Sequence, residues 1–338
     1  MARAKQLPSG AWRVQIYIDG KRESITRDTE DEANFAALEM KLQHKRKLEN
    51  ITVGEVIDKY IASKDGVLSP STIAGYQRIR RCNIQDLMDV PIAELRQEIV
   101  QNAFNREAKR TSARGKKVSW KTQANVRGLL SAALDQYDLH FKITTAAKQK
   151  KMKELIMPDQ IFTAVKDTAI ELPCLLAMWL SLSMSEIRGL KVGDIKDGVL
   201  TVRRSVVDVE GLPVTKDTVK AYERARQLTV PTYVLALIEQ TNAWKAGKGP
   251  IVTLSGQAIY KRLSRLLTKK NLPHISFHDL RHVNASVMHM LNVPDKYAME
   301  RGGWKTDQIM KNVYQNTFSQ ERQEVDRKID AYFEGFIK

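Results

Sequence analysis

The start of the chain alternates between apolar and polar side chains. The apolar positions are Trp12, Val14, Ile16 and Ile18. This period of two predicts a half-buried strand. Asp19-Gly20 then supplies a hairpin turn, and residues 21–26 can return as the partner strand.

Helical patterns follow. Thr29 with Glu32 and Thr52 with Glu55 fit capping boxes, so helices are predicted from each, the first running toward residue 48. A proline at residue 70 opens another helix, and two more are predicted over about 92–109 and 119–138.

The second half of the chain has a mixed pattern. Helical segments surround a β-rich stretch from Val199 to Val230, with turns at 197–198 and 210–211. An amphipathic helix is predicted from Ser319 to the end, with an apolar stripe of Val325, Ile329, Tyr332, Phe333 and Phe336. Docking of this helix on its own domain and docking on a neighbouring protomer both remain open.

These patterns predict a multidomain fold, mainly α with small β-sheets. The predicted parts are a hairpin-and-helix unit over 1–50, a helical domain over 51–142, a basic linker over 143–153, an α+β domain over 154–318 and a C-terminal helix over 319–338.

The charge of the chain indicates a class of binding partner. The net charge is +16 and the pI about 9.7. Such a basic surface releases counterions from a polyanion, which favours nucleic acid over the alternative of a merely basic soluble protein. No apolar run approaches the ~18 residues of a membrane span, and no secretory signal is expected. Cys82 and Cys174 are the only cysteines, which argues against a disulfide framework and favours a reducing cytoplasm.

Side chains suited to attack on a phosphodiester occur near the C-terminus. The run 278–282 reads H-D-L-R-H and places His278, Arg281 and His282 on one helical face. A Gly-Gly-Trp run then ends at Trp304, and Tyr314 follows. An arginine can bond two phosphate oxygens at once, and a tyrosine hydroxyl can act as nucleophile. The set predicts phosphoryl transfer, with the histidines as further donors or acceptors.

These motifs resemble the tyrosine recombinase family of phage-type integrases, whose box II reads H-x-L-R-H, followed by Gly-His or Gly-Trp and then the nucleophile. The resemblance implies site-specific cutting and rejoining of double-stranded DNA through a 3′-phosphotyrosine on Tyr314. It implies that Trp304 donates to phosphate, although a core aromatic is the alternative. It also implies no cofactor and no metal, a homotetramer on two duplexes, and accessory DNA-bending proteins as further partners.

The family's lysine motif, K-T-x-x-S-x-R, has an imperfect counterpart over 220–226. Lys220 matches the lysine that protonates the leaving oxygen, and Arg226 matches the final arginine. Ala221 and Arg224 replace the threonine and serine. Lys216 is the competing candidate for the general acid.

Box I departs from the family pattern G-[LM]-R-x-S-E-[IL]-x-x-L at a catalytic position. Ser183 stands where the family has its first catalytic arginine. Arg188 is a poor substitute, because five residues along a helix turn the side chain by about 140°. A serine offers no charge, so strand cleavage is expected to be deficient.

Basic residues in the first half of the chain and the linker are the predicted DNA contacts. The resemblance makes the first unit an arm-type DNA-binding domain, the second a core-binding domain and the third catalytic. The predicted contacts are Arg13, Lys21, Arg22, Arg110, Arg114, Lys116, Lys117, Lys121, Lys148, Lys150 and Lys151.

Three other interpretations fit parts of the sequence. A zinc site at His274, His278 and His282 lacks the glutamate of H-E-x-x-H and has Pro273 beside its first histidine. A type IB topoisomerase-like enzyme would share the tyrosine chemistry. A DNA-binding regulator that no longer cuts would account for Ser183.

Overall fold

The computed structural model describes residues 3–18, 21–111, 115–147, 155–216 and 226–304, together with residues 306, 327, 329 and 330. The chain divides into two compact units, Met1–Lys150 and Lys151–Lys338. Most of the predicted C-terminal helix and the turn at 19–20 lie outside the described residues.

The first unit begins with a three-stranded antiparallel sheet, in the order β1 (Lys5–Gln6), β2 (Trp12–Ile18) and β3 (Lys21–Arg27), followed by helix α1 (Glu30–Glu49). Val14 and Ile16 are buried against Ala33 and Ala37 of α1. The alternating pattern therefore predicted this strand and its buried face correctly.

The remainder of the first unit is helical. Its helices are α2 (Val53–Lys64), α3 (Pro70–Cys82), α4 (Gln85–Met88), α5 (Gln97–Lys109) and α6 (Trp120–Leu134). The capping box at Thr52 is confirmed, because Thr52 Oγ1 accepts from the Glu55 amide at 3.3 Å and Glu55 Oε2 accepts from the Thr52 amide at 2.9 Å. Phe104 and Leu130 are among the largest fully buried side chains of this core.

The prediction of one helix over 92–109 was wrong at its start. Ile92–Glu94 forms a separate 3₁₀ turn, and Arg96 has an extended backbone before α5 begins. The Ile92 amide donates to Ile51 O at 2.8 Å, and the Val53 amide donates to Val90 O at 3.0 Å. The Leu95 amide donates back to Ile92 O at 3.3 Å, and Leu95 and Arg96 both have extended backbone, so the 3₁₀ turn ends before α5 begins.

The second unit is mainly helical around two small sheets. Its helices are α7 (Pro158–Val165), α8 (Glu171–Met178), α9 (Met184–Gly189), α10 (Thr232–Glu239), α11 (Asn242–Lys245), α12 (Gly256–Lys269), α13 (Asp279–Met290) and α14 (Asp295–Gly302). One core holds α7 to α13 together, with Leu175 and Leu176 of α8 fully buried beside Leu280 of α13. Ala298 of α14 packs instead in a small separate cluster with Met288 of α13.

The predicted β-rich stretch is confirmed as two antiparallel sheets. They are β4 (Ile195–Lys196), β5 (Val199–Val202) and β8 (Arg226–Thr229) in one, and β6 (Ser205–Val209) with β7 (Leu212–Lys216) in the other. Glu210 and Gly211 join β6 to β7, both with positive φ (51° and 87°). This backbone matches the twist of a tight hairpin. Among the described residues, no helix is long and apolar enough to cross a membrane.

Candidate active site

The box II arginine is held between two other parts of the second unit. Arg281, on α13, donates from Nη1 to Glu186 Oε2 at 3.2 Å and from Nη2 to the Gly302 carbonyl at 2.6 Å. Only 11% of its side chain is exposed. A nearly buried guanidinium between a carboxylate and a helix C-terminus is fixed in position, as a phosphate-binding group must be.

The two histidines of box II lie one helical turn apart. The ring centroids of His278 and His282 are 5.0 Å apart in an edge-to-face arrangement. Asp279 accepts from the Ser276 amide at 2.7 Å and from Ser276 Oγ at 2.8 Å, which closes the turn before α13. The start of α13 therefore presents both imidazoles together.

His274 has a different environment from the other two. Its Nε2 lies 3.2 Å from Ser264 Oγ, and its ring lies edge-on to Tyr260. Across the part of the chain that is described, no group of three or more His, Cys, Asp or Glu side chains is arranged to hold a metal ion.

Ser183 serves as the N-cap of α9. Its Oγ accepts from the Glu186 amide at 3.3 Å, and Glu186 Oε2 accepts from the Ser183 amide at 2.7 Å. Ser183 Oγ also donates to Glu186 Oε2 at 2.9 Å. The side chain at this box I position thus begins a helix and offers a neutral hydrogen bond where the family has a cation.

Two residues earlier, Ser181 occupies the slot of the family's box I glycine. It is fully buried with φ 55°, and its Oγ has no hydrogen-bond partner within the described ranges. A serine in this backbone conformation carries steric strain and a desolvated hydroxyl that a glycine would avoid.

Glu186 is the acceptor that these groups share. Besides Arg281 and the Ser183 amide, it accepts from Arg226 Nη1 at 2.9 Å (Oε1) and from Arg226 Nη2 at 3.3 Å (Oε2). Burial alone would raise the pKa of the Glu186 carboxyl. The positive charge and hydrogen bonds of Arg226, the charge of Arg281 and the Ser183 amide outweigh it and lower the pKa to about 2. Glu186 is therefore ionised at neutral pH.

Arg226 matches the final arginine of the lysine motif but was not predicted as a site residue. It is the first residue of β8, and only 4% of its side chain is exposed. Its Nε donates to the Arg301 carbonyl at 3.0 Å and its Nη2 to the Ser181 carbonyl at 3.4 Å. Its match to the last position of the lysine motif was the sequence signal that could have identified it.

Trp304 lies beside the box II arginine. Arg281 Cζ is 6.0 Å from the centroid of the Trp304 ring, and the Trp304 amide donates to Met299 O at 3.0 Å. A Cβ on Gly302 would lie 2.5 Å from that ring. The Gly-Gly-Trp run thus lets the indole pack closely on the backbone before it. The two predicted roles of Trp304, phosphate donor and core aromatic, are not separated by these contacts.

Arg188 is engaged elsewhere. Its Nη2 pairs with Asp208 Oδ1 of β6 at 2.8 Å, and 10% of its side chain is exposed. This ion pair agrees with the expectation that Arg188 does not replace the missing arginine.

Two predicted catalytic residues, Tyr314 and Lys220, lie outside the described residues. The competing lysine, Lys216, is the last residue of β7 and is paired in register with Ser205.

The predicted DNA contacts differ in their surroundings. Arg13, Arg22, Lys116, Lys117 and Lys121 are exposed. Lys21 begins β3, whereas Arg114, Lys148, Lys150 and Lys151 lie outside the described residues. Arg110 donates to the buried Glu107 from Nε at 3.1 Å and from Nη2 at 2.7 Å. Arg110 is thus already paired with the buried carboxylate of Glu107, although 43% of the Arg110 side chain is exposed.

Comparison with known proteins identifies the class and the family. A model described as the phage integrase family matches residues 146–321, more than half of the chain. The protein is therefore a DNA strand transferase of the tyrosine recombinase class. It belongs to the phage integrase family.

Two curated relatives agree with this assignment. The integrase of Mycobacterium phage D29 is 26% identical over 302 residues, covering 82% of this chain and 78% of the relative. The integrase of Mycobacterium phage FRAT1 is also 26% identical over 302 residues, covering 82% of this chain and 88% of the relative.

Solved structures show the same fold. A Tn1549 transposon integrase in complex with transposon right end DNA has a TM-score of 0.63 at 17% identity, covering 82% of this chain and 99% of that one. A lambda integrase tetramer bound to a Holliday junction has a TM-score of 0.58 at 18% identity, covering 92% of this chain and 94% of that one. These likenesses confirm the multidomain, mainly α fold class.

Replacing Ser181 by glycine should stabilise the protein. Glycine accepts positive φ and removes the buried hydroxyl, so the free energy of unfolding should rise by about 1 kcal/mol. Chemical denaturation measures the change. Ser181→Ala, which removes only the hydroxyl, should raise the free energy of unfolding by less than the glycine variant does. A glycine variant less stable than Ser181→Ala would contradict the strain assigned to this backbone.

The lowered pKa of Glu186 makes its contribution to stability depend on pH. The pKa is about 2 in the folded protein and ordinarily 4.5. The contribution is therefore fully present above pH 4.5 and is lost as pH falls toward 2. Glu186→Gln keeps the capping-box geometry but cannot ionise. The variant should be less stable by roughly 3 kcal/mol at neutral pH, with the difference shrinking in acid. Denaturation curves between neutrality and pH 3 provide the test, and a constant difference would refute the assignment.

Proposed function

We propose that this protein is a site-specific recombinase that cuts and rejoins DNA through a 3′-phosphotyrosine on Tyr314, and that its cleavage is slow because position 183 carries no charge. The observation that carries the proposal is the nearly buried Arg281 bonded to Glu186, with Ser183 on the same carboxylate. The phosphodiester energy is kept in the tyrosine linkage, so rejoining needs no nucleotide cofactor.

Each predicted catalytic group has a place in this chemistry. Arg281 binds non-bridging phosphate oxygens and stabilises their developing negative charge. His278 and His282 donate to the phosphate or accept the phenol proton. The Trp304 indole N–H donates to a phosphate oxygen. Lys220 protonates the leaving 5′ oxygen, with Lys216 as the competing candidate.

Ser183 is the reason to expect slow cleavage. Transition-state cations and oxyanion donors are each worth roughly 10²–10⁵ in rate. A serine hydroxyl already engaged with Glu186 supplies none of that charge. The alternative of a DNA-binding regulator that does not cut rests on the same residue.

The remaining parts of the chain are assigned to DNA binding and assembly. The unit over 1–50 binds arm-type sites, the domain over 51–142 binds core-type sites, and the linker over 143–153 connects them to the catalytic domain over 154–318. The helix over 319–338 docks on a neighbouring protomer of a homotetramer. The tetrameric state of the lambda integrase bound to a Holliday junction supports this assembly. Accessory DNA-bending proteins belong to the same proposal.

Restoring the arginine should raise the rate of strand cleavage. Ser183 Oγ lies 2.9 Å from Glu186 Oε2, so an arginine at this position reaches the same carboxylate and adds a positive charge. We expect Ser183→Arg to form covalent protein–DNA complexes about 10²-fold faster on a nicked suicide substrate.

Three control variants separate charge from size and from binding. Ser183→Gln adds length without charge and should stay near the parent rate, whereas Ser183→Lys should fall between glutamine and arginine. Tyr314→Phe added to Ser183→Arg should abolish covalent attachment. Salt-sensitive DNA binding without attachment in any variant would favour the non-cutting regulator. Cleavage and relaxation of single DNA sites without synapsis of two would favour a topoisomerase-like enzyme.

A further inference from the structure

Arg226 has contacts that suit it to a role in the reaction. It donates to both oxygens of Glu186, from Nη1 to Oε1 at 2.9 Å and from Nη2 to Oε2 at 3.3 Å. We propose that Arg226 is a positioning residue, which compensates the charge of Glu186 so that the cluster with Arg281 keeps a net positive charge for the DNA phosphate. This inference rests on the proposed recombinase function.

Counting charges gives the first reason. Two guanidinium groups and one ionised carboxylate leave this cluster with a net charge of +1. Without Arg226, Arg281 and Glu186 would form a neutral pair, and the phosphate would meet no net positive charge from them. In a poorly solvated site that difference is large, because charges interact more strongly than in water.

The shape of the contacts gives the second reason. Arg226 engages both oxygens of Glu186, while Arg281 donates to Oε2 from Nη1 at 3.2 Å and directs Nη2 to the Gly302 carbonyl. Arginine and carboxylate otherwise favour a bidentate pair. With Arg226 removed, Glu186 can turn to accept both ends of the Arg281 fork, which would withdraw it from the phosphate.

Arg226 also orients the segment that leads toward Trp304. Its Nε donates to the Arg301 carbonyl at 3.0 Å, and Arg281 donates to the next carbonyl, that of Gly302. Cations at the C-terminal end of a helix are favourable, so both arginines stabilise the last turn of α14. A Cβ on Gly303 would lie 2.7 Å from Arg226 Nη1, so the glycine with φ 63° makes room for this guanidinium.

The serine at position 183 explains why Arg226 matters in this protein. Ser183 gives Glu186 a neutral donor, so among the described contacts the second positive charge on this carboxylate comes from Arg226. If an arginine occupies position 183, the same compensation has a second source. The effect of losing Arg226 should then be smaller.

A double-substitution cycle between Arg226 and Glu186 tests the proposal. We expect Arg226→Gln to slow covalent attachment to a nicked duplex about 10²-fold, because Glu186 then neutralises Arg281. Adding Glu186→Gln removes that neutralising charge, so the double variant should cleave at least about tenfold faster than Arg226→Gln alone. Arg226→Lys, which keeps the charge without the fork, should lie between the parent and Arg226→Gln.

A matched control and a second readout make the result interpretable. Arg188→Gln breaks an ion pair between a similarly buried arginine, 10% exposed, and the more exposed Asp208 of β6, so it should lower the melting temperature without the loss in cleavage. Equilibrium affinity for the same nicked duplex at low salt provides a readout independent of cleavage. It should weaken with Arg226→Gln and recover in the double variant.

Two outcomes overturn the inference. A purely structural Arg226 would leave the double variant no faster and no tighter in DNA binding than Arg226→Gln. An Arg226→Gln protein that cleaves and binds like the parent would also exclude the role. Failure of the proposed function is recognised separately, because then no variant with Tyr314 intact, including Ser183→Arg, attaches to DNA while the affinity cycle still reports on Arg226.

Discussion

The carboxylate of Glu186 is the interaction on which the site depends. It is nearly buried, and its two oxygens accept from Arg226, Arg281 and the start of α9. A buried negative charge is tolerated only when it is paired and hydrogen-bonded, so these partners are obligatory. Because they come from β8, α13 and box I, one side chain holds three distant parts of the sequence together around Arg281.

The same arrangement shows what is lost and what is kept when box I has no arginine. Ser183 keeps the local structure, since a serine is a favourable N-cap and completes a capping box with Glu186. It carries no charge. Structure and charge therefore separate at this position, because the serine supports the helix start without supplying a cation. Under the proposed function this weakens the site, and Arg226 limits the loss because it leaves the cluster with Arg281 a net positive charge.

Local patterns predicted much of the fold. The alternation at Val14 and Ile16, the capping box at Thr52 and the β-rich stretch were correct because each depends on neighbours in sequence. The start of α5 was missed because Ile92 is held by a hydrogen bond to Ile51, far away in sequence, and the chain leaves that contact through extended backbone at Arg96. The Arg226–Glu186 pair joins positions forty residues apart, so no spacing rule could find it. Motif resemblance found Arg281 and Ser183, but only the folded chain shows that they share one carboxylate.

The most direct test of the account is to identify the residue that becomes attached to DNA. The Ser183→Arg protein would be trapped on a nicked duplex, trimmed with nuclease and protease, and the modified peptide sequenced by mass spectrometry. We expect a single adduct, a nucleotide 3′-phosphate on the hydroxyl of Tyr314. An adduct on another residue, or a 5′ linkage, would contradict it.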